Sequence, residues 1–273
     1  MKLTYSISEL IPYINWVYYF FAWQVKEHDE QQRLQREALD WLRQQEDRYH
    51  AYALFVLADA QGDGDDLLIY SDSHESADAG QPLRIPLLRQ QQGNPCLCLA
   101  DFVRPLSSGI RDRVGVFATS VDRGMETDFR TDPYRKMTAQ LLADRLAEAA
   151  AEKMHEQVRK SYWGYAPDEH FSMSDLHAER FQGIRPAVGY PSLPDTSLNF
   201  LINDLLQMQQ IGIRLTESGA MRPHASVSGL MLSHPQARYF SLGPIGEDQL
   251  ADYARRRGIP ITFMRKFLGG NIQ

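Results

Sequence analysis

Hydrophobic and polar residues follow a helical spacing in the first part of the chain and change to a strand-like pattern at Tyr52. Between residues 29 and 49, apolar positions recur every three or four residues among glutamine, glutamate and arginine, which is typical of an amphipathic helix. From Tyr52 to Ala58 the chain is almost continuously apolar, and the run from Leu67 to Tyr70 follows a turn of glycine and aspartate. This pattern predicts a buried strand and its hairpin partner.

Further short apolar runs predict additional strands of the same sheet. They extend from Leu83 to Leu88, Leu97 to Ala100, Val114 to Thr119, Val227 to Leu232 and Tyr239 to Leu242. Each run is short and is bounded by glycine, proline or polar residues, as strands commonly are. The polar residues 71–81 predict a loop between two of the strands.

The longest predicted helix covers residues 132–160. Pro133 is suited to the first turn of a helix, and apolar residues at helical spacing predict one buried face. That face consists of Leu142, Leu146, Ala149, Ala150, Met154 and Val158. A polar stripe runs beside it at Arg145, Glu148, Glu152, His155 and Arg159. We expect most of the stripe to be a solvated face with salt bridges.

Shorter helices are predicted towards the carboxyl terminus. They lie within residues 168–182, between Asp195 or Thr196 and Gly212, from Glu247 to Arg257, and after Pro260. No internal repeat or low-complexity linker separates the elements. The sequence therefore predicts one α+β domain over residues 1–273, with a twisted, mostly antiparallel sheet flanked by helices.

Composition narrows the class of protein. With 43% apolar residues, 23% charged residues and a net charge of -6, the chain is typical of a globular protein and gives no support to nucleic-acid binding. The apolar run from Ile14 to Val25 is too short to cross a membrane. Cys96 and Cys98 are interpreted as reduced, and we expect a cytoplasmic protein without a metal site.

A loop rich in proline and glycine offers the first candidate site. Between Gly183 and Pro191, the prolines remove backbone donors and favour extended geometry, while Gly189 permits backbone angles closed to other residues. Arg185 and Tyr190 lie on this loop and suit a small ligand with a carboxylate and a flat ring. Taken alone, such a motif is more often a surface connection.

Several motifs, in order along nearly the whole chain, carry a resemblance to a known family. They are Arg185-Pro-Ala-x-Gly-Tyr190, Thr216-Glu-Ser, Ser226-Val-Ser-Gly229 and Ser233-His-Pro, with Pro12-Tyr-Ile-Asn-Trp16 and Val158-Arg-Lys-Ser-Tyr-Trp-Gly-Tyr-Ala-Pro167 before them. Together they resemble the activation domain of cobalamin-dependent methionine synthase. The resemblance implies a concave, C-shaped face that binds S-adenosylmethionine.

The resemblance also implies which residues bind this ligand. They are Asn15, Glu148, Glu179, Arg185, Ala187, Gly189, Tyr190, Tyr239 and Phe240. Arg185 is expected to hold the ligand carboxylate, because a guanidinium group can donate two parallel hydrogen bonds to a carboxylate. Three positions depart from the family pattern. Asn15 stands where the family usually has aspartate, Phe240 where a second tyrosine can occur, and Thr196 where a histidine can occur.

The function implied by the resemblance is reactivation of cobalamin. The chain would present the methyl group of S-adenosylmethionine for reductive remethylation of cobalamin, with flavodoxin or an equivalent protein as the electron donor. Since the sequence has no Asp-x-His-x-x-Gly motif for cobalamin, we expect it to act in trans on a cobalamin-binding methionine synthase chain that lacks this domain. It would be an accessory component, without a catalytic residue of its own. The alternative, slightly favoured by Asn15, is an inherited fold that binds another ligand or a partner without methyl transfer.

Overall fold

A curled antiparallel sheet lies at the centre of the computed structural model, which describes residues 1–70 and 81–272. Its strands are β1 (Lys2–Tyr5), β2 (Ala51–Asp63), β3 (Asp66–Tyr70), β4 (Leu83–Pro86), β5 (Asp112–Val121) and β8 (Ser226–Met231), and a separate hairpin contains β6 (Arg214–Leu215) and β7 (Met221–Arg222). The order across the main sheet is β4-β3-β2-β5-β8, with β1 also paired to β2. Apart from Gln81, the predicted loop at residues 71–81 lies outside the described residues.

Helices cover both faces of this sheet. They are α1 (Ile7–Leu10), α2 (Trp16–Ala22), α3 (His28–Gln44), α4 (Gly124–Thr127), α5 (Pro133–Gln157), α6 (Met173–His177), α7 (Leu198–Leu206), α8 (Glu247–Arg257) and α9 (Ile261–Phe267). Short 3-10 turns occur at Ile11–Tyr13, Leu99–Phe102, Leu106–Ser108 and Met208–Ile211, and α5 continues into a π-helical turn at Val158–Tyr162. The predicted α+β fold with a mostly antiparallel sheet is confirmed. The domain limits at residues 1 and 273 stay a prediction.

Alternating residues of β5 supply two separate cores. Phe117 is buried on the face covered by α5, while Val116 and Ala118 belong to the core beneath α7. Successive side chains of a strand point to opposite faces, so one strand can serve both cores. The six apolar positions predicted for the buried face of α5 are all buried, which confirms that prediction. Asp132 caps this helix by accepting hydrogen bonds from the amides of Tyr134 and Arg135.

Two of the predicted strands are not strands in the structure. In the predicted strand Leu97 to Ala100, Cys98 makes only an isolated bridge, and Leu99 begins a 3-10 turn, Leu99–Phe102. The Asp101 carboxylate closes this turn by accepting a hydrogen bond from the Cys98 amide. Residues 239–242 are irregular, and the Leu242 amide donates to the Pro191 carbonyl without a ladder around it. Both segments carry suitable apolar residues, but in the described part of the chain neither extends into a ladder with a neighbouring strand.

Candidate functional site

The loop rich in proline and glycine runs beside β8 as a short, irregular edge strand, paired only through isolated bridges. Ile184 exchanges two backbone hydrogen bonds of 2.9 Å with Leu232, and the Pro186 carbonyl accepts from the Leu230 amide at 3.0 Å. Gly229 permits this close approach, since a Cβ atom there would lie 2.1 Å from the Pro186 carbonyl oxygen. The predicted extended geometry is confirmed, and the sheet holds the loop in place.

A cleft of about 590 Å³ opens between this loop, α5, the start of α2 and residues 239–241. Its volume falls in the range of small-molecule sites. Eight of the nine residues predicted to bind the ligand line the cleft: Asn15, Glu148, Glu179, Arg185, Ala187, Tyr190, Tyr239 and Phe240. The structure thus brings together residues that are more than 200 positions apart in sequence, while their contacts with a ligand stay a prediction.

Gly189, the ninth predicted residue, is not part of the lining. Its φ of 89° is a conformation that favours glycine, and its amide donates a 2.8 Å hydrogen bond to the Leu193 carbonyl. The chain turns at this point and leaves Tyr190 at the cleft. Gly189 therefore acts on the cleft through the backbone, by placing Tyr190.

Three glutamates on successive turns of α5 contact three residues that line the cleft, two on the loop rich in proline and glycine and one just before α2. Glu148 accepts a 2.6 Å hydrogen bond from the hydroxyl of Tyr190. Glu152 forms an ion pair with Arg185 at 3.3 Å between Oε2 and Nη2. Glu156 accepts a 2.5 Å hydrogen bond from the hydroxyl of Tyr13, just before Asn15. Residues four apart share one side of a helix, so α5 organises the cleft with a single row of carboxylates.

The prediction of a mostly solvated stripe on α5 is wrong. The side chain of Glu152 is 14% exposed, and His155 and Arg159 are fully buried. Arg159 pairs with Glu169 at 2.7 Å and contacts His155, because the chain after α5 folds back over this face. Burial is the main cause that lowers the pKa of His155, and the positive charge of Arg159 adds to it. The network therefore contains a neutral histidine beside an ion pair.

Arg185 is directed towards α5 in this structure. Its side chain is 11% exposed, and its guanidinium lies 5.5 Å from the ring centroid of the buried Phe117. The hydroxyl oxygen of Tyr239 accepts a 2.9 Å hydrogen bond from the Arg185 amide. Arg185 thus joins the loop, the core and α5, and Glu152 neutralises its charge.

Glu179 enters the cleft from a strained backbone position. The predicted helix around it is shorter, because α6 ends at His177 and Glu179 follows with a φ of 54°. Burial and then the negative charge of Glu152 raise the pKa of Glu179, while Arg185 opposes the shift. Arg185 therefore compensates the negative charge of Glu179 only in part.

Asn15 has a structural role at the edge of the cleft. It is the N-cap of α2, and its Oδ1 atom accepts a 3.2 Å hydrogen bond from the Val17 amide. Capping is a common duty of asparagine and of aspartate, so the position suits either residue.

Several residues of the cleft were not predicted as site residues. They include Tyr13, Tyr18, Arg145, Glu152 and His177. Glu152 could have been found from sequence, because it lies one helical turn after Glu148 on the same side of α5. Tyr13 and Tyr18 flank Asn15 in sequence, which is the signal that would have singled them out.

The charges of the lining favour a ligand that carries both signs and a net positive charge. Three glutamates, Glu148, Glu152 and Glu179, face two arginines, Arg145 and Arg185. Arg145 lies 5.3 Å from the ring centroid of Tyr18, which is the geometry of a cation–π contact. No cluster of side chains suited to a metal ion occurs in the described part of the chain. No helix in residues 1–70 and 81–272 is long and apolar enough to span a membrane.

The fold and the cleft define an α+β domain with a cleft whose size and charges suit a small, charged organic ligand. Residues 6–258 match the family described as vitamin B12 dependent methionine synthase, activation domain. The match covers most of the chain, and the protein belongs to this family. The prediction made from the sequence motifs is confirmed.

A solved structure gives a close comparison for the whole chain. The crystal structure of the MetH reactivation domain bound to AdoHcy is 38% identical in sequence and superposes with a TM-score of 0.91. The alignment covers 100% of this chain and 90% of that chain. The fold described above is therefore similar over its full length to a domain that binds AdoHcy.

Proposed function

We propose that this protein binds S-adenosylmethionine in the cleft and presents its methyl group for reductive remethylation of the cobalamin of a partner methionine synthase. The observation that carries the proposal is the position of Arg185, a cation in an acidic cleft, on an extended loop held by β8. The similarity to a reactivation domain bound to AdoHcy, which lacks only the transferable methyl group, supports the same ligand class.

The groups of the ligand match the residue types of the lining. Arg185 supplies donors for the ligand carboxylate, and the glutamates of α5 favour its cationic groups. Tyr190, Tyr239 and Phe240 offer ring surfaces for the adenosine part. In the edge strand, Ile184, Pro186 and Val188 form backbone hydrogen bonds with β8, so the amide of Ala187 is directed the other way. It has no hydrogen-bond partner among the described residues and could donate to the ligand.

The protein's part in the reaction is binding and orientation. An electron from flavodoxin or an equivalent donor and the methyl group of S-adenosylmethionine convert the inactive cob(II)alamin of the partner into methylcobalamin. The chain holds the amino-acid end of the ligand so that the sulfonium methyl faces the open side of the cleft. Correct positioning of two reacting groups is by itself a large source of rate enhancement.

A titration followed by a functional assay tests the proposal. Isothermal titration calorimetry of the purified protein should give saturable binding of S-adenosylmethionine and of AdoHcy. The protein is then mixed with a cobalamin-loaded methionine synthase that lacks its own activation domain, with S-adenosylmethionine and a reductant. The corrin spectrum should change from cob(II)alamin to methylcobalamin only when this protein is present.

A binding module without methyl transfer is the second candidate. Asn15 favours it, because the neutral amide caps α2 and brings no charge to the cleft. Binding of S-adenosylmethionine without any change in the corrin spectrum of a cognate partner would support this candidate over reactivation. Absence of binding would contradict the proposed ligand itself.

A further inference from the structure

Glu152 has a carboxylate oxygen that its contacts leave unused. One oxygen, Oε2, pairs with Arg185, while the other, Oε1, is buried and has no hydrogen-bond partner among the residues that the structure describes. Arg185 likewise has an unpaired donor, since its Nε atom is buried and has no hydrogen-bond partner among the described residues. Buried polar atoms are normally hydrogen-bonded, and an unpaired one is unfavourable.

The ion pair thus keeps one spare acceptor beside one spare donor at the wall of the cleft. The amino-acid end of a ligand has the complementary set, because its carboxylate accepts hydrogen bonds and its ammonium donates them. A modest rotation of the two side chains, both of which line the cleft, would direct the spare atoms to a ligand. The pair can therefore bind the carboxylate and the ammonium group of a zwitterion at the same time.

The other polar side chains near the cleft differ from Glu152, because none of them has a buried oxygen without a partner in the described part of the chain. Glu148 accepts from Tyr190, Asn15 accepts from the Val17 amide, and Glu156 accepts from Tyr13. Glu179 is the remaining carboxylate, and burial, followed by the charge of Glu152, raises its pKa. Among these groups, Glu152 is the one with a buried carboxylate oxygen that lacks a hydrogen-bond partner among the described residues, and an ammonium group could supply that partner.

We propose that Glu152 recognises the ammonium group at the amino-acid end of the ligand, while its partner Arg185 takes the carboxylate. This inference rests on the proposed function and adds a specificity-determining residue to it. The pair would select compounds that carry both an adenosine and an intact α-amino acid. Adenosine compounds without the amino acid would be bound only through the rest of the cleft.

The test compares three probes on the Glu152→Gln variant by calorimetry. S-adenosylmethionine and AdoHcy share the amino-acid end and differ in the sulfonium charge, whereas 5′-methylthioadenosine has neither the amino acid nor the charge. Loss of one hydrogen bond between charged groups should weaken S-adenosylmethionine and AdoHcy by about tenfold or more each. The affinity for 5′-methylthioadenosine should stay unchanged.

Three results would overturn the role of Glu152. Equal weakening of all three probes would indicate a general structural effect, and weakening of S-adenosylmethionine alone would indicate a response to the sulfonium. Tighter binding of the two amino-acid compounds would mean that Glu152 only competes for Arg185. A wild-type protein that binds none of the probes would instead contradict the proposed function.

Two further variants control for folding. Glu9→Gln removes the 2.8 Å ion pair between Glu9 of α1 and Lys153, the residue that follows Glu152 on α5. Neither residue of this pair lines the cleft. It should leave the affinities for all three probes unchanged. Glu152→Asp keeps the charge on a shorter side chain, so its affinities for the two amino-acid compounds should fall between those of the wild type and Glu152→Gln. An aspartate variant no better than the glutamine variant, with an unchanged melting temperature, would contradict the proposal.

Discussion

The hydroxyl of Tyr190 donates a 2.6 Å hydrogen bond to Oε1 of Glu148 and so joins the end of the edge strand to α5. Both side chains line the cleft. Burial, followed by the charge of Glu148, raises the pKa of Tyr190, so the phenol remains a proton donor at neutral pH. The bond is a direct link between two walls of the ligand site.

The energy of this link can be measured with a double-mutant cycle. Tyr190→Phe and Glu148→Gln should each reduce the free energy of unfolding by about 1 kcal/mol, since both residues are partly solvated. The double variant should lose less than the sum of the two, with a coupling of about 0.5–1 kcal/mol. Urea denaturation gives these values. Strictly additive losses would show that the bond contributes nothing in solution.

Arg185→Ala should weaken the binding of S-adenosylmethionine by about 1.5–3 kcal/mol, the range for a hydrogen bond to a charged group. It should also destabilise the fold, because the mostly buried Glu152 loses its partner. Arg185→Lys retains the charge without the forked donors, so its affinity should be intermediate. Calorimetry on samples checked by thermal melting makes the comparison. Unchanged affinity in the alanine variant would rule out a role for the guanidinium in binding.

Asn15→Asp should keep the N-cap of α2 and add a negative charge at the cleft. We expect S-adenosylmethionine to bind about tenfold more tightly if one charge-assisted hydrogen bond is gained. Because a carboxylate is favourable at a helix amino terminus, the melting temperature should not fall. Asn15→Ala is the control, since it removes both the helix cap and the side-chain hydrogen-bond acceptor at the cleft. Weaker or equal binding in the aspartate variant would show that this position does not contact the ligand.

Glu179 should make the protein less stable as the pH rises. A carboxyl group with a raised pKa binds its proton more tightly in the folded state, so the free energy of unfolding falls above its ordinary pKa of 4.5. Glu179→Gln removes this effect. In urea, the variant and the wild type should be equally stable at about pH 4, and the variant more stable at about pH 7. A variant that is less stable at the higher pH would contradict the sign of the shift.

Gly229→Ala should displace the edge strand from β8. The added methyl group would meet the Pro186 carbonyl oxygen at 2.1 Å and the Ala187 Cα atom at 2.9 Å. Overpacking of this kind typically costs about 1–3 kcal/mol of stability, and ligand affinity should fall with it. Gly212→Ala is a useful control: it has open space but a φ of 78°, so it tests backbone strain away from the cleft. Normal ligand affinity in Gly229→Ala would mean that the register of the loop is not needed for binding.

The fold and much of the cleft could be predicted from local sequence signals. The prolines of the loop restrict its backbone whatever the surroundings, so its extended form could be predicted without knowledge of its partner strand. The spacing of apolar residues in α5 likewise determined its buried face. The segment at residues 239–242 was not predictable in this way, because a strand requires a neighbour that the local pattern does not specify.

The burial of Glu152, His155 and Arg159 depends on contacts that are distant in sequence. On α5 alone these residues have the spacing of a solvated stripe. Their burial results from the return of the chain through Glu169 and from the docking of Arg185. Buried charged residues are rare unless paired, and the pairs form only in the complete fold.

The row formed by Glu148, Glu152 and Glu156 makes the length of α5 important for the proposed ligand site. A helix turns by about 100° for each residue, so a single insertion or deletion within the row would rotate its later members away from the cleft. A conservative substitution would alter one of these contacts, whereas an insertion or deletion would break the contacts of α5 with two walls of the cleft at once. Between Glu148 and Glu156 the number of residues in the helix is therefore fixed by these contacts. We expect this segment to accept substitutions but not insertions or deletions.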